Sequence, residues 1–159
     1  IKKKIKTNNL ICVAPDVGGT ARARALGKML NIDLAIIDKR RPKPGKSEVM
    51  NVIGKVNNKT CIIVDDIIDS GGTIVNAAKA LKNNGAKDVH VYCSHGVLSG
   101  NAVEKIKNSK VKNLVITDTI DNIDKVKKAK NIEILTISQL VGEAIKRISN
   151  STSVSDLFN

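Results

Sequence analysis

Three carboxylates, two hydroxyls and two glycines stand together near the middle of the chain, in the segment VDDIIDSGGT at residues 64–73. An apolar run at residues 61–64 leads into it and predicts a parallel strand that is buried on both faces. Carboxylates at the end of such a strand are costly to place unless they have partners or a function. This segment is therefore the first candidate for chemistry.

The second half of the segment predicts an anion site. Residues 69–73, which begin with Asp69, open a helical pattern, and the unpaired N–H groups and positive dipole at the start of a helix favour an anion. Gly71 and Gly72 let the backbone approach a phosphate, and Ser70 and Thr73 add hydroxyl donors. The alternative is an ordinary strand-to-helix turn with Thr73 as its cap, but a turn does not need the acid pair.

Asp65 and Asp66 predict a partner with neighbouring hydroxyls. Two adjacent carboxylates can accept hydrogen bonds from a diol such as that of a ribose. A site that holds a phosphate at one end and a diol at the other fits a sugar phosphate.

A second segment, DVGGT at residues 16–20, repeats this order of residues. It follows the apolar run Leu10–Ala14 and precedes a helical pattern that reaches residue 30. Gly18 and Gly19 predict a second phosphate-sized nest, in which Asp16 could reach Mg²⁺ directly or through water. An ordinary capped turn explains this segment equally well.

Residues 39–46, KRRPKPGK, carry five positive charges in eight positions. The two prolines disfavour a helix or a strand ladder, so we expect an exposed, mobile loop after a strand at residues 33–38. A charge run is commonly only a solvated surface segment. Here it leaves the same end of the predicted sheet as the two glycine segments, and mobile cations that close over a phosphate stabilise phosphoryl transfer.

Strands and helices alternate along the chain, which predicts a parallel α/β sheet with right-handed crossovers and ligands at the carboxyl ends of the strands. An antiparallel edge strand or hairpin arm is expected at residues 48–56, because two asparagines and a lysine follow it. The other predicted strands are residues 88–94, Asn113–Thr117 and Ile132–Leu135, and the predicted helices are residues 74–84, 102–108, 122–129 and an amphipathic helix that contains residues 140–148.

Length and composition predict one globular domain with an aliphatic core, since the 159 residues are 42% apolar and only 1% aromatic. The net charge of +12 is spread along the chain without aromatics for base stacking, so we expect no nucleic-acid partner. No apolar run is long enough to span a bilayer and the basic start is no signal peptide, so no membrane partner is expected either. The absence of an initiator Met predicts a piece of a longer chain.

The cysteines and histidines show no catalytic or metal-binding pattern. Cys12, Cys61 and Cys93 lie in apolar runs without CxxC spacing, which predicts buried free thiols in a reducing compartment such as the cytoplasm. His90 is expected to be a structural residue within a strand, and His95 a loop residue near the site.

The segment VDDIIDSGGT resembles the phosphoribosyl-pyrophosphate motif of the type I phosphoribosyltransferase fold, a three-layer α/β fold with a parallel sheet. With APDVGGTARARALGKML, IIDKRRPKPG, CSHGVLSGNAVEKI and the terminal SVSDLF, the chain resembles one family, ribose-phosphate diphosphokinase (phosphoribosyl-pyrophosphate synthetase), over nearly all of residues 10–159. It is similar to the C-terminal half of that enzyme. The resemblance implies a lead-in from a missing N-terminal domain at residues 1–9, a phosphoribosyltransferase-like domain at 10–150 and a tail at 151–159.

The resemblance implies transfer of diphosphate from ATP to the 1-hydroxyl of ribose 5-phosphate with Mg²⁺, giving phosphoribosyl pyrophosphate and AMP for nucleotide biosynthesis. It also implies roles for individual residues. The residues implied to bind the 5-phosphate are Asp69, Ser70, Gly71, Gly72 and Thr73, and those implied to bind the ribose hydroxyls are Asp65 and Asp66. The implied diphosphate loop contains Asp16, Gly18 and Gly19, and Asp16 is also linked to the metal. Lys39 and Arg41 are implied to be catalytic residues of a flexible loop, and Ser153 and Phe158 to belong to an allosteric site at subunit contacts.

The family's adenine-binding segments and a Mg²⁺-binding histidine belong to the half that has no counterpart here. We therefore expect this chain to bind ribose 5-phosphate or a phosphate-like anion but to turn over little or nothing alone. The resemblance also implies that the full-length enzyme forms dimers that assemble into hexamers. One alternative is a phosphoribosyltransferase. Such an enzyme needs an additional hood segment that recognises the nucleobase, and this sequence contains no extra segment for one. Another is a non-catalytic regulatory homologue, in which the DSGGT loop would be broken, whereas here it is intact.

Overall fold

The computed structural model of the chain describes residues 1, 5, 9–40 and 49–158. In this part of the chain seven strands form one sheet. They are β1 Leu10–Ala14, β2 Asp33–Arg40, β3 Val49–Ile53, β4 Thr60–Ile68, β5 Asp88–Gly96, β6 Asn113–Thr117 and β7 Ile132–Leu135. The helices are α1 Thr20–Leu30, α2 Gly72–Asn83, α3 Ala102–Lys107, α4 Ile123–Val126 and α5 Ser138–Ser149, followed by a 3₁₀ turn at Ser155–Phe158. The predicted α/β class is confirmed.

The sheet has the order β3-β2-β1-β4-β5-β6-β7. All neighbouring strands are parallel except β2 and β3, so the predicted antiparallel edge strand is confirmed. The chain winds from β1 outward to β2, and from β4 outward in the opposite direction to β7. The connections that leave β1 and β4 therefore diverge, which opens a crevice at the carboxyl ends of these two strands.

Three strands are longer than the sequence predicts. β4 continues through Asp65 and Asp66, and β5 includes His95, because β4 and β5 remain paired beyond their apolar stretches (Asp65 with Cys93, Ile67 with His95). The expectation that the acids follow the strand and that His95 lies in a loop is therefore wrong. Pairing across the ladder satisfies the backbone whether or not the side chains are apolar.

Lys39 belongs to β2 and pairs with Met50 of β3, and Arg40 pairs with Val49. The expectation that Lys39 begins a loop is therefore wrong, since the antiparallel neighbour β3 extends the ladder to these two residues. The rest of the predicted loop, including Arg41, lies outside the described residues.

Helices cover both faces of the sheet. On one face α1 packs over a small cluster that includes Cys12, Ala14 and Val64. On the other face α2 and α3 pack over a larger cluster, of which Ile63, Val91, Leu114, Ile74 and Ile106 are members. Both clusters are aliphatic, as the composition predicts.

The three cysteines are free and buried, as predicted. Cys12 lies under α1, whereas Cys61 and Cys93 belong to the larger cluster. Burial raises the pKa of the Cys12 thiol to about 11 and the pKa of the Cys61 and Cys93 thiols to about 12. These groups therefore remain protonated and unreactive while the fold is closed.

The last helix is amphipathic, as predicted, but no residue of α5 is buried. Leu140, Val141, Ile145 and Ile148 are between 43% and 67% exposed. Within the described residues this apolar stripe is uncovered. None of the helices described combines the length and the apolarity that a membrane-spanning segment requires.

Gly54, directly after β3, has φ +123°, and a Cβ built on it would lie 2.8 Å from the Cβ of Ala35. We expect Gly54→Ala to lower the free energy of unfolding by about 1–3 kcal/mol, because it combines backbone strain with overpacking. The measurement is urea unfolding followed by circular dichroism. Gly142→Ala in α5 is the control, since its Cβ meets nothing within 4 Å, and it should stabilise the helix by up to about 1 kcal/mol. Equal effects of the two substitutions would contradict the predicted strain.

Candidate functional site

A cleft of about 310 Å³ opens at the carboxyl end of β4, beside the connection that follows β1. It lies at the reversal of winding, where the parallel-sheet rule places a ligand. The cleft brings together eight of the residues that the sequence singles out. Its lining consists of Asp16, Asp65, Asp66, Ile67, Ile68, Asp69, Ser70, Gly71, Gly72, Thr73 and Ile74.

Residues 69–73, here called the anion loop, are the turn before α2 and the first two residues of that helix. No described side chain caps the start of α2. The N-cap residue is Gly71, which brings no side-chain acceptor, and the first turn of α2 contains no acidic residue. Thr73 lies inside the helix, so its interpretation as a cap is wrong. Among the described residues no side chain accepts a hydrogen bond from the N–H groups at the start of α2, and such a helix start favours an anion.

The two glycines of the anion loop differ in what the fold requires of them. Gly71 has φ +75°, and a Cβ there would lie 3.2 Å from Cδ1 of Ile106, so both its backbone and its packing against α3 require glycine. Gly72 has no such conformation, and a Cβ there would meet only the Ser70 hydroxyl oxygen, at 3.9 Å. The fold itself therefore does not require glycine at position 72.

The turn before α1 is closed by hydrogen bonds among its own residues, although no described side chain caps the helix itself. Oδ1 of Asp16 accepts a hydrogen bond from the Gly19 N–H at 2.8 Å, and the Thr20 hydroxyl donates to the Val17 carbonyl at 2.7 Å. A Cβ on Gly18 would lie 3.3 Å from the same Asp16 oxygen. One oxygen of Asp16 is therefore used inside this turn, while the side chain stays exposed at the edge of the cleft.

Arg22, in the first turn of α1, binds both members of the acid pair. Its Nη1 lies 3.1 Å from Oδ1 of Asp65 and its Nη2 lies 2.6 Å from Oδ2 of Asp66. The sequence shows Arg22 near a helix start but not its partners, because that contact depends on β1 and β4 being neighbours. Once the strand order is known, a residue one turn into α1 is placed to reach the end of β4.

The two carboxyls of the acid pair have different affinities for a proton. Partial burial raises the pKa of Asp65, and the adjacent Asp66 carboxylate acts in the same direction. Desolvation also acts to raise the pKa of Asp66, but the charge of Arg22 and the hydrogen bonds to Asp66 outweigh it and lower that pKa below its ordinary value. On acidification Asp65 is therefore protonated before Asp66.

The other predicted site residues that the structure describes do not line the cleft. Lys39 ends near the carboxyl edge of β2, and Arg41 lies outside the described residues. The Ser153 hydroxyl donates to Asp156 at 3.1 Å, and Phe158 is 70% exposed. The allosteric role of Ser153 and Phe158 stays a prediction.

The two histidines lie outside the cleft lining. His90 is in mid-strand and paired with Asn113, as expected of a structural residue, and burial lowers its pKa. Nδ1 of His95 lies 2.9 Å from the hydroxyl of Thr119, in the turn that follows β6. In the part of the chain that the structure describes, no three His, Cys, Asp or Glu side chains are grouped so that they could hold a metal ion.

Replacing Arg22 with methionine should raise the pKa of Asp66, because the cation that favours its charged form is lost. A lowered carboxyl pKa contributes stability above the unfolded-state pKa that is lost on acidification. The free energy of unfolding of Arg22→Met should therefore rise less with pH in the acid range than that of the wild type. Carboxyl ¹³C NMR titration and urea unfolding at several pH values measure the two effects.

Arg24→Met is the matched control for that experiment. Arg24 is an exposed residue of the same helix, and it forms no ion pair with any described residue. It should leave the titration of the acid pair nearly unchanged. An Asp66 titration that is the same in Arg22→Met and in the wild type would contradict the assigned contact.

Residues 41–159 match the family described as "Phosphoribosyl synthetase-associated domain". The chain is 58% identical to the ribose-phosphate pyrophosphokinase of Bradyrhizobium diazoefficiens, over all of this chain and 50% of that protein. The chain thus spans about half the length of the curated relatives it matches.

Solved structures give the same result. The phosphoribosylpyrophosphate synthetase of Mycobacterium smegmatis superimposes with a TM-score of 0.81 at 33% identity, over 90% of this chain and 46% of that one. An adenine phosphoribosyl transferase from Trypanosoma brucei, solved with AMP, pyrophosphate and ribose-5-phosphate, shares the fold with a TM-score of 0.58 at 16% identity, over 84% of this chain and 58% of its own. The predicted fold and family resemblance are confirmed, and the chain belongs to the phosphoribosyl synthetase-associated domain family.

Proposed function

We propose that this chain carries the ribose 5-phosphate side of a ribose-phosphate pyrophosphokinase active site. The reaction would transfer diphosphate from ATP to the 1-hydroxyl of ribose 5-phosphate and release AMP. The observation that carries the proposal is one cleft in which an uncapped helix N-terminus and an acid pair lie side by side. The names of relatives that are more than half identical support the same reaction.

The anion loop would hold the 5-phosphate. The start of α2, where the helix dipole is positive, lines the cleft, and the Ser70 and Thr73 hydroxyls would add donors there. Gly72 would allow the phosphate oxygens to reach the backbone closely. The carboxylate of Asp69 would repel a phosphate. In the proposal Asp69 therefore accepts hydrogen bonds from donors that lie next to the phosphate.

Asp65 and Asp66 would accept hydrogen bonds from the ribose hydroxyls. A carboxylate offers about four lone-pair sites, so one contact from Arg22 to each leaves capacity for a diol. Arg22 also supports the ionised form of Asp66, which is the form that accepts. Its positive charge further offsets the repulsion between an acid pair and an anionic substrate.

The proposal needs Mg²⁺, and the residues present fit it in a limited way. Mg²⁺ is typically bound by one or two carboxylates together with substrate phosphates and water. Asp16 would hold the ion directly or through water, because the Gly19 N–H occupies only one of its oxygens. When bound, the ion would neutralise charge on the transferring diphosphate.

Lys39 and Arg41 would add positive charge above the diphosphate. β2 is parallel to β1, so its carboxyl end, where Lys39 lies, is at the same edge of the sheet as the cleft. ATP binding through the other half of the family's chain, assembly into homo-oligomers, allosteric control at Ser153 and Phe158, and a cytoplasmic location complete the proposal.

Asp66→Asn should weaken ribose 5-phosphate binding about tenfold or more, since a hydrogen bond to a charged group contributes about 1.5–3 kcal/mol. Inorganic phosphate, which has no diol, should bind the variant at least as well as the wild type. Isothermal titration calorimetry with both ligands measures this difference.

Asp124→Asn in α4 is the control, because it removes one exposed carboxylate outside the cleft. It should leave both affinities close to those of the wild type. Unchanged ribose 5-phosphate binding in Asp66→Asn would remove the diol-binding role from Asp66.

The chain by itself should release little or no AMP from ATP, ribose 5-phosphate and Mg²⁺, although it binds ribose 5-phosphate. The reason is that the chain spans half of its relatives' length, and the adenine side is proposed to lie in the other half. Chromatographic detection of AMP measures turnover, and the full-length enzyme is the positive control. Measurable synthesis of phosphoribosyl pyrophosphate by this chain alone would contradict the division of the site.

A further inference from the structure

The anion loop is held from behind by the connection between β5 and α3. The Val97 and Leu98 N–H groups both donate to the Ile68 carbonyl, at 2.9 and 3.1 Å, and the Ser99 N–H donates to the Asp69 carbonyl at 3.1 Å. These are the last residue of β4 and the first residue of the anion loop. The path of the backbone into the loop therefore depends on residues 97–99, which do not line the cleft.

Leu98 has a strained backbone at the centre of this support. Its φ is +51° and its side chain is only 1% exposed. A bulky residue in the left-handed region is unfavourable, and it persists only when its surroundings hold it there. The buried side chain supplies one such restraint. Hydrogen bonds that fix the preceding carbonyls, those of Gly96 and Val97, supply the other.

Asn122 fixes those carbonyls. Its Nδ2 donates to the Gly96 carbonyl at 2.6 Å and to the Ile120 carbonyl at 3.3 Å, and the residue is only 2% exposed. Lys125, from the following helix, donates to the Val97 carbonyl at 3.2 Å. Three successive strand-to-helix connections are thus linked by hydrogen bonds, from Asn122 through residues 96–99 to the anion loop.

The amide of Asn122 is costly to bury in this way. Its Oδ1 is buried and has no hydrogen-bond partner within the described residues. A buried acceptor without a partner destabilises the fold, whereas an apolar side chain of similar shape would not carry that cost. Only the donor half of the amide is used, which indicates that donation to the Gly96 carbonyl is the reason for its presence.

We propose that Asn122 is a positioning residue for the anion loop, acting through the hydrogen bonds of residues 96–99. Asn122 does not line the cleft. The proposal rests on the proposed function in one respect, namely that the loop binds a phosphate. A donor is required at this place, since a carboxylate would repel the Gly96 carbonyl and a hydrocarbon would leave it unpaired.

Asn122→Asp tests the proposal because it keeps the shape of the side chain and removes the donor. We expect it to weaken binding of inorganic phosphate and of ribose 5-phosphate about tenfold in calorimetric titrations. In the free protein, the amide NMR signals of residues 70–73 should shift, and the amides of residues 97–99 should exchange with solvent faster.

Asn131→Asp is the matched control. Asn131 is also an amide with a buried, unpartnered Oδ1, but its Nδ2 donates to the carbonyls of Ile106 and Val111, at 3.2 and 3.1 Å. Both variants should lower the midpoint of urea unfolding, whereas only Asn122→Asp should lower phosphate affinity and shift the loop amides. If Asn122→Asp does not fold, Asn122→Ser, which buries no charge and is too short to reach Gly96, should show the same loss.

The outcomes separate the two proposals. Phosphate affinity and loop amides that respond equally to the Asn122 and Asn131 variants would overturn the positioning role. A wild-type chain that binds no phosphate would overturn the proposed function of the loop. In that case the amide shifts and exchange rates of the free protein still decide whether Asn122 positions it.

Discussion

The parallel pairing of β1 with β4 is the constraint on which the site depends. It brings Leu10 opposite Thr60 and Val13 opposite Ile63, and so places two strand-to-helix connections next to each other. Neither connection forms a cleft alone. Because α1 and α2 leave the strands on opposite faces of the sheet, their starts diverge, and the space between them is lined by polar backbone and carboxylates.

Both helix starts have a glycine N-cap and no acidic residue in the first turn, and they differ in the carboxylate that precedes α1. Before α1, the Asp16 carboxylate accepts a hydrogen bond from the N–H of the N-cap residue Gly19, so one donor at that helix start is paired within the chain. At α2 no acidic residue occupies the first turn, and the corresponding attraction for an anion is left unused. The acid pair on β4 does not fill that role, because Arg22 binds Asp65 and Asp66 from the side of α1.

Local patterns were enough to predict much of this arrangement. β1, β6 and β7 have the predicted bounds because each is a short, mainly apolar stretch that ends at polar residues or at a proline. The ends of β2, β4 and β5 were missed, since polar residues that remain in a ladder resemble a loop when they are read along the chain. The contacts of Arg22 and Asn122 join residues 43 and 26 positions apart. They follow from strand order and helix placement, which no local pattern contains.

The buried cysteines make the fold observable from within. Cys12 lies on the face that α1 covers, and Cys61 and Cys93 lie on the face beneath α2 and α3. An alkylating reagent can reach each thiol only after the helical layer above it opens. The rate of labelling at each cysteine therefore measures how often that layer detaches from the sheet. The chain thus carries separate reporters for its two helical layers, without any introduced label.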